Sequence, residues 1–255
     1  MKKNSKIVFF ILLIILLSGC SSKKVIVNNI EDLKNEKVGV FTGSEYDQIL
    51  EEKIPDAKST YYNSYNDEIS ALKSGKIAAF LTDEPLAKEI LKNHEDLKIL
   101  DDKLTEDSYA FAISKEKENL KIEIDNILKE MEEDKSLEKF QDKWFNYDKN
   151  TKLEEYDYES SKTIKFATVS GSAPFAFMMN NEIVGYDIEV IKYIGYKLNY
   201  KIEIIEMSFE GIIPAIISNK IDVAGCSIIV TEQRKQSVLF SIPNYTGGIV
   251  IVTNK

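Results

Sequence analysis

Histidine is all but missing from this chain, and the lone His94 sits among Asn93, Glu95 and Asp96 without the partners a metal centre needs. No metal ion or cofactor is expected. Cysteine is nearly as scarce: Cys226 lies in an apolar stretch and reads as a small buried hydrophobe, while Cys20 closes the first apolar run, so no intrachain disulfide is expected. Positive charge is in deficit. Against 42 Asp+Glu stand 33 Lys+Arg, a formal charge of −9, which argues against nucleic acid and fits a soluble, weakly associating protein, expected to be a monomer. Long hydrophobic runs are absent as well. The run Ile7 to Leu17 is too short to cross the ~30 Å core of a bilayer as a helix.

What the amino terminus does contain is a basic start, Met1-Lys2-Lys3-Asn4-Ser5-Lys6, that apolar run, and then Leu17-Ser18-Gly19-Cys20. This is the layout of a secretory signal, residues 1–19, and its end resembles the bacterial lipobox, in which the cysteine is lipidated and becomes the mature N-terminus. Cys20 is therefore the expected lipidation site, tethering the chain to the outer face of a membrane through acyl chains. Residues 1–19 carry three lysines and no acid, so the mature charge moves from −9 to −12.

Arginine occurs once. Arg234 lies in Thr231-Glu232-Gln233-Arg234, just after the apolar stretch Val223 to Val230, which reads as a strand. A guanidinium presents a rigid fork of donors suited to gripping a carboxylate, a geometry that lysine cannot reproduce, so Arg234 reads as a carboxylate clamp. Its bland alternative is a solvated charge on a short helix capped by Thr231. The earlier half carries alternating strands and helices: Lys37 to Phe41, then Thr42-Gly43-Ser44 opening a helix, and Ile77 to Thr82 ending at Asp83-Glu84-Pro85. A helix start reached through a glycine turn offers free N–H groups, and a carboxylate at the carboxyl end of a parallel strand stands where α/β folds place ligands. Asp83 also suits a helix cap before Pro85. Leu120 to Phe145 is amphipathic and helical with a break near Asp134 to Ser136, Trp144 reads as core, and Asn146 to Lys162 reads as a linker. Beyond it come strand Thr163 to Val169, a hairpin turning at Asn180-Asn181, a helix to Leu198, strand Ile202 to Ile205 and a helix led by Met207 to Pro214.

Thr231-x-x-Arg234, Val238-Leu239-Phe240-Ser241, Pro243-Asn244-Tyr245, Pro174-Phe175-Ala176-Phe177 and Gly185-Tyr186-Asp187 together resemble the first lobe of amino-acid-type extracellular solute-binding proteins (family 3) of ABC importers. Asp32-Leu33-Lys34, the strand at Val38 to Phe41 and Thr42-Gly43-Ser44 resemble the opening of that family's second lobe. The resemblance implies a two-lobed α/β clamshell of the type II periplasmic-binding-protein kind. It also implies roles: Arg234 and Ser227 on a solute's carboxylate, Asp83 on its ammonium, Phe209 against its apolar part, Ser44 and Thr231 completing the cleft, and an ABC permease as partner. Three departures stand out, since Ile229, Val169 and Ser172 replace residues that are commonly polar or aromatic in the family.

Relative to the family, the order of the pieces is inverted. The chain divides as 20–29 tether and hinge strand, 30–148 second lobe plus returning helices, 149–162 linker, and 163–255 a first-lobe portion ending in a hinge strand. Val25 to Asn29 and Val250 to Asn254 are near-copies. A circular permutation accounts for this order, and so does a fragment of a tandem array. Functionally the expectation is an extracytoplasmic binder of an amino acid or similar small polar solute, not an enzyme. The rival readings are a secreted cyclohexadienyl-dehydratase-like enzyme and a sensory or degenerate binding module.

Overall fold

The computed structural model describes residues 24–100, 103–157, 159 and 162–255, so the signal and Cys20 lie outside the described residues. In chain order the strands are β1 (Lys37–Phe41), β2 (Lys58–Tyr62), β3 (Ala79–Asp83), β4 (Leu97–Ile99), β5 (Asp107–Tyr109), β6 (Ala112–Ile113), β7 (Thr163–Thr168), β8 (Gly171–Ser172), β9 (Ala176–Met179), β10 (Glu182–Val184), β11 (Lys201–Glu206), β12 (Val223–Ala224), β13 (Leu239–Phe240), β14 (Tyr245–Gly247) and β15 (Ile249–Asn254).

They assemble into two five-stranded sheets, each the spine of one lobe of an α/β clamshell. The second-lobe sheet runs β2-β1-β3-β15-β4, with β1 parallel to β2 and β3, and β15 antiparallel to β3 and β4. Buried residues such as Ala79, Leu81 and Ile251 line one of its faces and Phe80, Leu86 and Val252 the other, which is why the central strands β3 and β15 are mainly apolar. The first-lobe sheet runs β11-β7-β12-β6-β13 and mixes parallel and antiparallel neighbours.

Two segments cross between the lobes, β5 going out and β14 coming back, and they pair antiparallel with Tyr109 opposite Tyr245. This places the hinge at the back of the cleft and fixes the distance between the two sheets there. A lobe made from chain segments far apart in sequence follows directly. β15 at the very end sits between β3 and β4, while the helices Glu118–Glu133 and Ser136–Phe145 pack on the first-lobe helix Tyr186–Leu198.

Trp144 is fully buried on that face, and its Nε1 donates to Glu189 Oε2 at 2.7 Å. Lys143 Nζ reaches the same oxygen at 2.8 Å, and the backbone N–H of Glu154, in the linker, donates to Glu189 Oε1 at 3.0 Å. One buried carboxylate therefore ties the returning helix and the linker to the first lobe. The break between the two returning helices is at Lys135, whose φ of 64° ends one helix and re-aims the next.

Two strand expectations are corrected. Val25 to Asn29 form no strand: Asn29 instead caps a 3-10 turn over Ile30–Leu33, accepting from the Asp32 N–H, so the near-copy of β15 has a different local structure. The stretch Val223 to Val230 is a strand for only two residues, β12. Ser227 then takes a left-handed φ of 45°, which breaks the pleat and swings the chain toward the cleft.

Candidate functional site

The cleft lies between the carboxyl ends of the second-lobe strands and the loop that follows β12 in the first lobe. Its wall from the second lobe is made by Phe41, at the end of β1, and Tyr65, at the start of the helix Tyr65–Lys73, whose rings stack at 4.5 Å between centroids. Phe209, at the start of the helix Phe209–Ile217, comes from the first lobe and meets Phe41 edge-on at 6.2 Å. Phe41, Ser44, Glu45, Phe209, Ser227 and Arg234 are among the residues lining a cavity of about 10 Å³, room for a single water. The lobes are closed.

Arg234 sits in the four-residue helix Glu232–Lys235, where the Thr231 hydroxyl accepts from its backbone N–H at 3.2 Å. Thr231 is thus the cap that aims the arginine. The side chain is 8% exposed, and two of its three polar contacts cross the cleft. Nη1 donates to the Ile229 carbonyl of its own lobe at 3.0 Å, Nη2 donates to the Gly43 carbonyl of the second lobe at 3.1 Å, and Nε lies 3.0 Å from Glu45 Oε1. The guanidinium also stands 5.7 Å from the centre of the Phe209 ring. Burial lowers its pKa, opposed by the carboxylate of Glu45.

Asp83 ends β3 beneath the cavity and is 1% exposed. Three hydroxyls converge on it: Tyr109 at 2.7 Å from the hinge, Ser227 at 2.8 Å from the first lobe and Tyr46 at 3.1 Å from the second. It makes no side-chain cap bond to the helix that follows, which removes the capping alternative. Burial raises its pKa to about 6 despite those three donors. Beside it Asp187, at the start of the helix Tyr186–Leu198, accepts from the Ser227 N–H at 3.2 Å and from Asn244 Nδ2 at 2.9 Å. Burial pushes Asp187 to about 7, with the charge of Asp83 adding to the rise. Ser227 therefore bridges two carboxylates, hydroxyl to one and N–H to the other, and its left-handed φ makes both reachable.

Arg234, Phe209, Ser227 and Ser44 all line the one cavity, and Asp83 lies directly behind it, reached through Ser227 and Tyr46. Ser44 is turned inward. Its hydroxyl donates to the Phe41 carbonyl at 2.7 Å and accepts from the Tyr46 N–H at 3.2 Å, while its own N–H bonds the Phe41 carbonyl. The turn thus presents the Gly43 carbonyl, an acceptor, where free N–H donors are the sequence expectation.

Glu45 and the hydroxyls of Tyr46 and Tyr109 have no counterpart in the sequence reading. No local pattern marks them, because their partners lie far along the chain: Arg234 in the opposite lobe for Glu45, and Asp83 for the two tyrosines. Cys226 is buried beside the site, its thiol pushed up to about 12 by burial, and behaves as packing. Among the described residues no cluster of metal-ligating side chains occurs, and no helix is long and apolar enough to cross a membrane.

Residues 164–255 match the family described as bacterial extracellular solute-binding proteins, family 3. Among curated proteins, the probable histidine-binding protein of Campylobacter jejuni is 34% identical over 99 residues, 38% of this chain and 39% of that protein. The arginine-binding extracellular protein ArtP of Bacillus subtilis is 33% identical over 94 residues, 37% of each. Among solved structures, the arginine-bound domain 1 of TmArgBP is 31% identical over 36% of this chain and 80% of that one, with a TM-score of 0.32. The chain spans about two-fifths of the length of the curated relatives it matches.

Proposed function

We propose that this protein is an extracytoplasmic solute-binding protein that captures an amino acid, or a similar small polar solute, between its lobes for an ABC permease. The observation that carries the reading is the set of polar contacts crossing the cleft: Arg234 of the first lobe to Gly43 and Glu45 of the second, and Ser227 of the first to Asp83 of the second. A zwitterion placed there substitutes for these contacts. Arg234 and Ser227 would take its carboxylate, Asp83 its ammonium, and the Phe209, Phe41 and Tyr65 rings its apolar part, with Thr231 and Ser44 holding the two sides in shape. Because both charged ends are gripped only when the lobes meet, the solute favours the closed form and shifts the population toward it. A cavity of about 10 Å³ is too small for any amino acid, so the lobes must part for it to enter.

The match of residues 164–255 to a family of solute-binding proteins supports this reading. So do the curated relatives, which are named as binding proteins. We further propose that Cys20 anchors the chain by lipid, and that the lobes are circularly permuted, with residues 149–162 joining the family's original ends. The insertion of β15 between β3 and β4 supports a single composite clamshell over an open fragment of an array. A dehydratase-like reading draws on Asp83 and Asp187, two neighbouring buried carboxyls held at about 6 and about 7, a range useful for proton transfer. Calorimetry of the chain from Ser21 onward against the twenty amino acids tests the proposal. Saturable heat supports it, steady heat with a new product moves the assignment to the enzyme, and silence with all twenty leaves a degenerate module.

A further inference from the structure

Glu45 is a poor local choice where it stands. It precedes the helix Tyr46–Lys53 in the cap position, which favours Ser, Thr, Asp or Asn, and its side chain makes no cap bond. Ser44 serves the first N–H of that helix in its stead. A residue that breaks a local rule without local gain is expected to answer to something farther away. Here the distant partner is Arg234, with Glu45 Oε1 3.0 Å from Nε and both side chains nearly buried, 12% and 8% exposed. The contact joins residues 189 positions apart and from opposite lobes. It is also like for like: a carboxylate on the guanidinium that the proposed function assigns to a solute's carboxylate.

We propose that Glu45 is an internal competitor of the solute. Its carboxylate holds Nε of Arg234 in the unliganded protein, keeps the lobes together, and decides how strongly the cleft favours acid-bearing solutes over amines that lack the acid. Binding of an acid is then an exchange. When an amino acid enters, its carboxylate displaces that of Glu45, so one charged pair replaces another and only the difference between them reaches the affinity. An amine without a carboxylate also needs the lobes to part, but it gains its contacts at Asp83 and the aromatic wall and has no use for Arg234, so the pair is free to re-form once it is inside. Glu45 therefore weakens binding of acids and leaves amines nearly untouched.

The selectivity part rests on the proposed function; the closure part does not, and the test separates them. In the chain from Ser21 onward, Glu52→Cys and Lys220→Cys place dyes on exposed positions of the two lobes, and energy transfer without solute reports closure. Glu45→Gln keeps the shape and removes the charge; Glu45→Asp keeps the charge and withdraws it by one methylene, and thermal unfolding checks that both fold. Titrations compare L-arginine with agmatine and L-histidine with histamine. Glu45→Gln is expected to lower the ligand-free transfer, to tighten the amino acids roughly 10- to 100-fold, and to move the amines by less than about threefold, with Glu45→Asp between. Ligand-free transfer that is the same in all three proteins overturns the proposal, and so does equal tightening of acid and amine. Loss of transfer in Glu45→Gln with no response to any solute supports the internal contact and counts against solute binding.

Discussion

Replacing Arg234 by alanine removes three contacts at once, and the structure says where each loss falls. The Ile229 carbonyl belongs to the arginine's own lobe, whereas the Gly43 carbonyl and Glu45 belong to the other, so two of the three hold the cleft shut. Hydrogen bonds to a charged group contribute about 1.5–3 kcal/mol each. Two of them lost from a solute's carboxylate amount to about 3 kcal/mol or more, a fall in affinity beyond roughly 100-fold. The variant also leaves the Glu45 carboxylate facing the solute's with no cation between them, so the exchange with Glu45 does not cancel the loss. Stability should respond far less. The hydrophobic clusters of the two sheets do not depend on Arg234, and once the lobes part, water serves Glu45 and the freed carbonyls. Calorimetry with the best amino acid, paired with thermal unfolding of the same samples, reads both quantities. Arg234→Lys retains the charge without the fork and is expected to recover little. An Arg234→Ala protein that folds and still binds within about threefold of the parent refutes the reasoning, because the carboxylate grip would then lie elsewhere.

Gly43 adopts a φ of +82°, and a Cβ there would stand 2.7 Å from the Cα of Glu210 in the opposite lobe. Gly43→Ala is therefore expected to wedge the cleft open, enlarging the radius in small-angle scattering and weakening solute binding; unchanged scattering and affinity would contradict the closed geometry. Asp83 and Asp187 titrate at about 6 and about 7, above the 3.8 of an ordinary aspartate. The folded state holds their protons more tightly than the unfolded, so the stability they contribute is full at low pH and is lost as pH rises through those values, by up to about 1.4 kcal/mol per pH unit for each group. Urea midpoints should fall from pH 5 to pH 8, and Asp187→Asn should flatten that fall; midpoints that rise over the same window would reverse the sign of the argument. Glu189→Ala strips partners from Trp144, Lys143 and the linker N–H of Glu154. A loss of about 3 kcal/mol or more by urea unfolding is expected, and a change under about 1 kcal/mol would mean the carboxylate holds nothing together.

Much of this architecture could be read along the chain, and the reason differs from element to element. The helices at Tyr186–Leu198 and Ser136–Phe145 have strong apolar periodicity, and the Asn180-Asn181 turn suits left-handed backbone at both positions. Val25 to Val27 shows the limit. The same residue types form β15 at the other end of the chain, where β3 and β4 supply partners on both sides, and form no strand at Val25 because no neighbour pairs with them. The stretch after β12 fails for a different reason. Its hydrophobicity is that of a strand, yet the need to reach Asp83 and Asp187 together puts Ser227 in a left-handed turn.

The residues that carry charge into the cleft were visible one at a time. Arg234 stood out as the only arginine, and Asp83 by its place at the end of an apolar strand. Their partners were not visible, since a glutamate before a helix or a tyrosine in a strand carries no mark of what faces it. Composition, periodicity and turn chemistry are local properties, and they settled an acidic α/β chain with a lone guanidinium just after a short apolar strand. Whether that guanidinium meets a carboxylate of its own, and which hydroxyls surround the buried aspartate, depends on how two sheets separated by the hinge come together. Tertiary structure alone decides this, because electrostatic contacts between lobes depend on distance in space and are indifferent to distance along the chain.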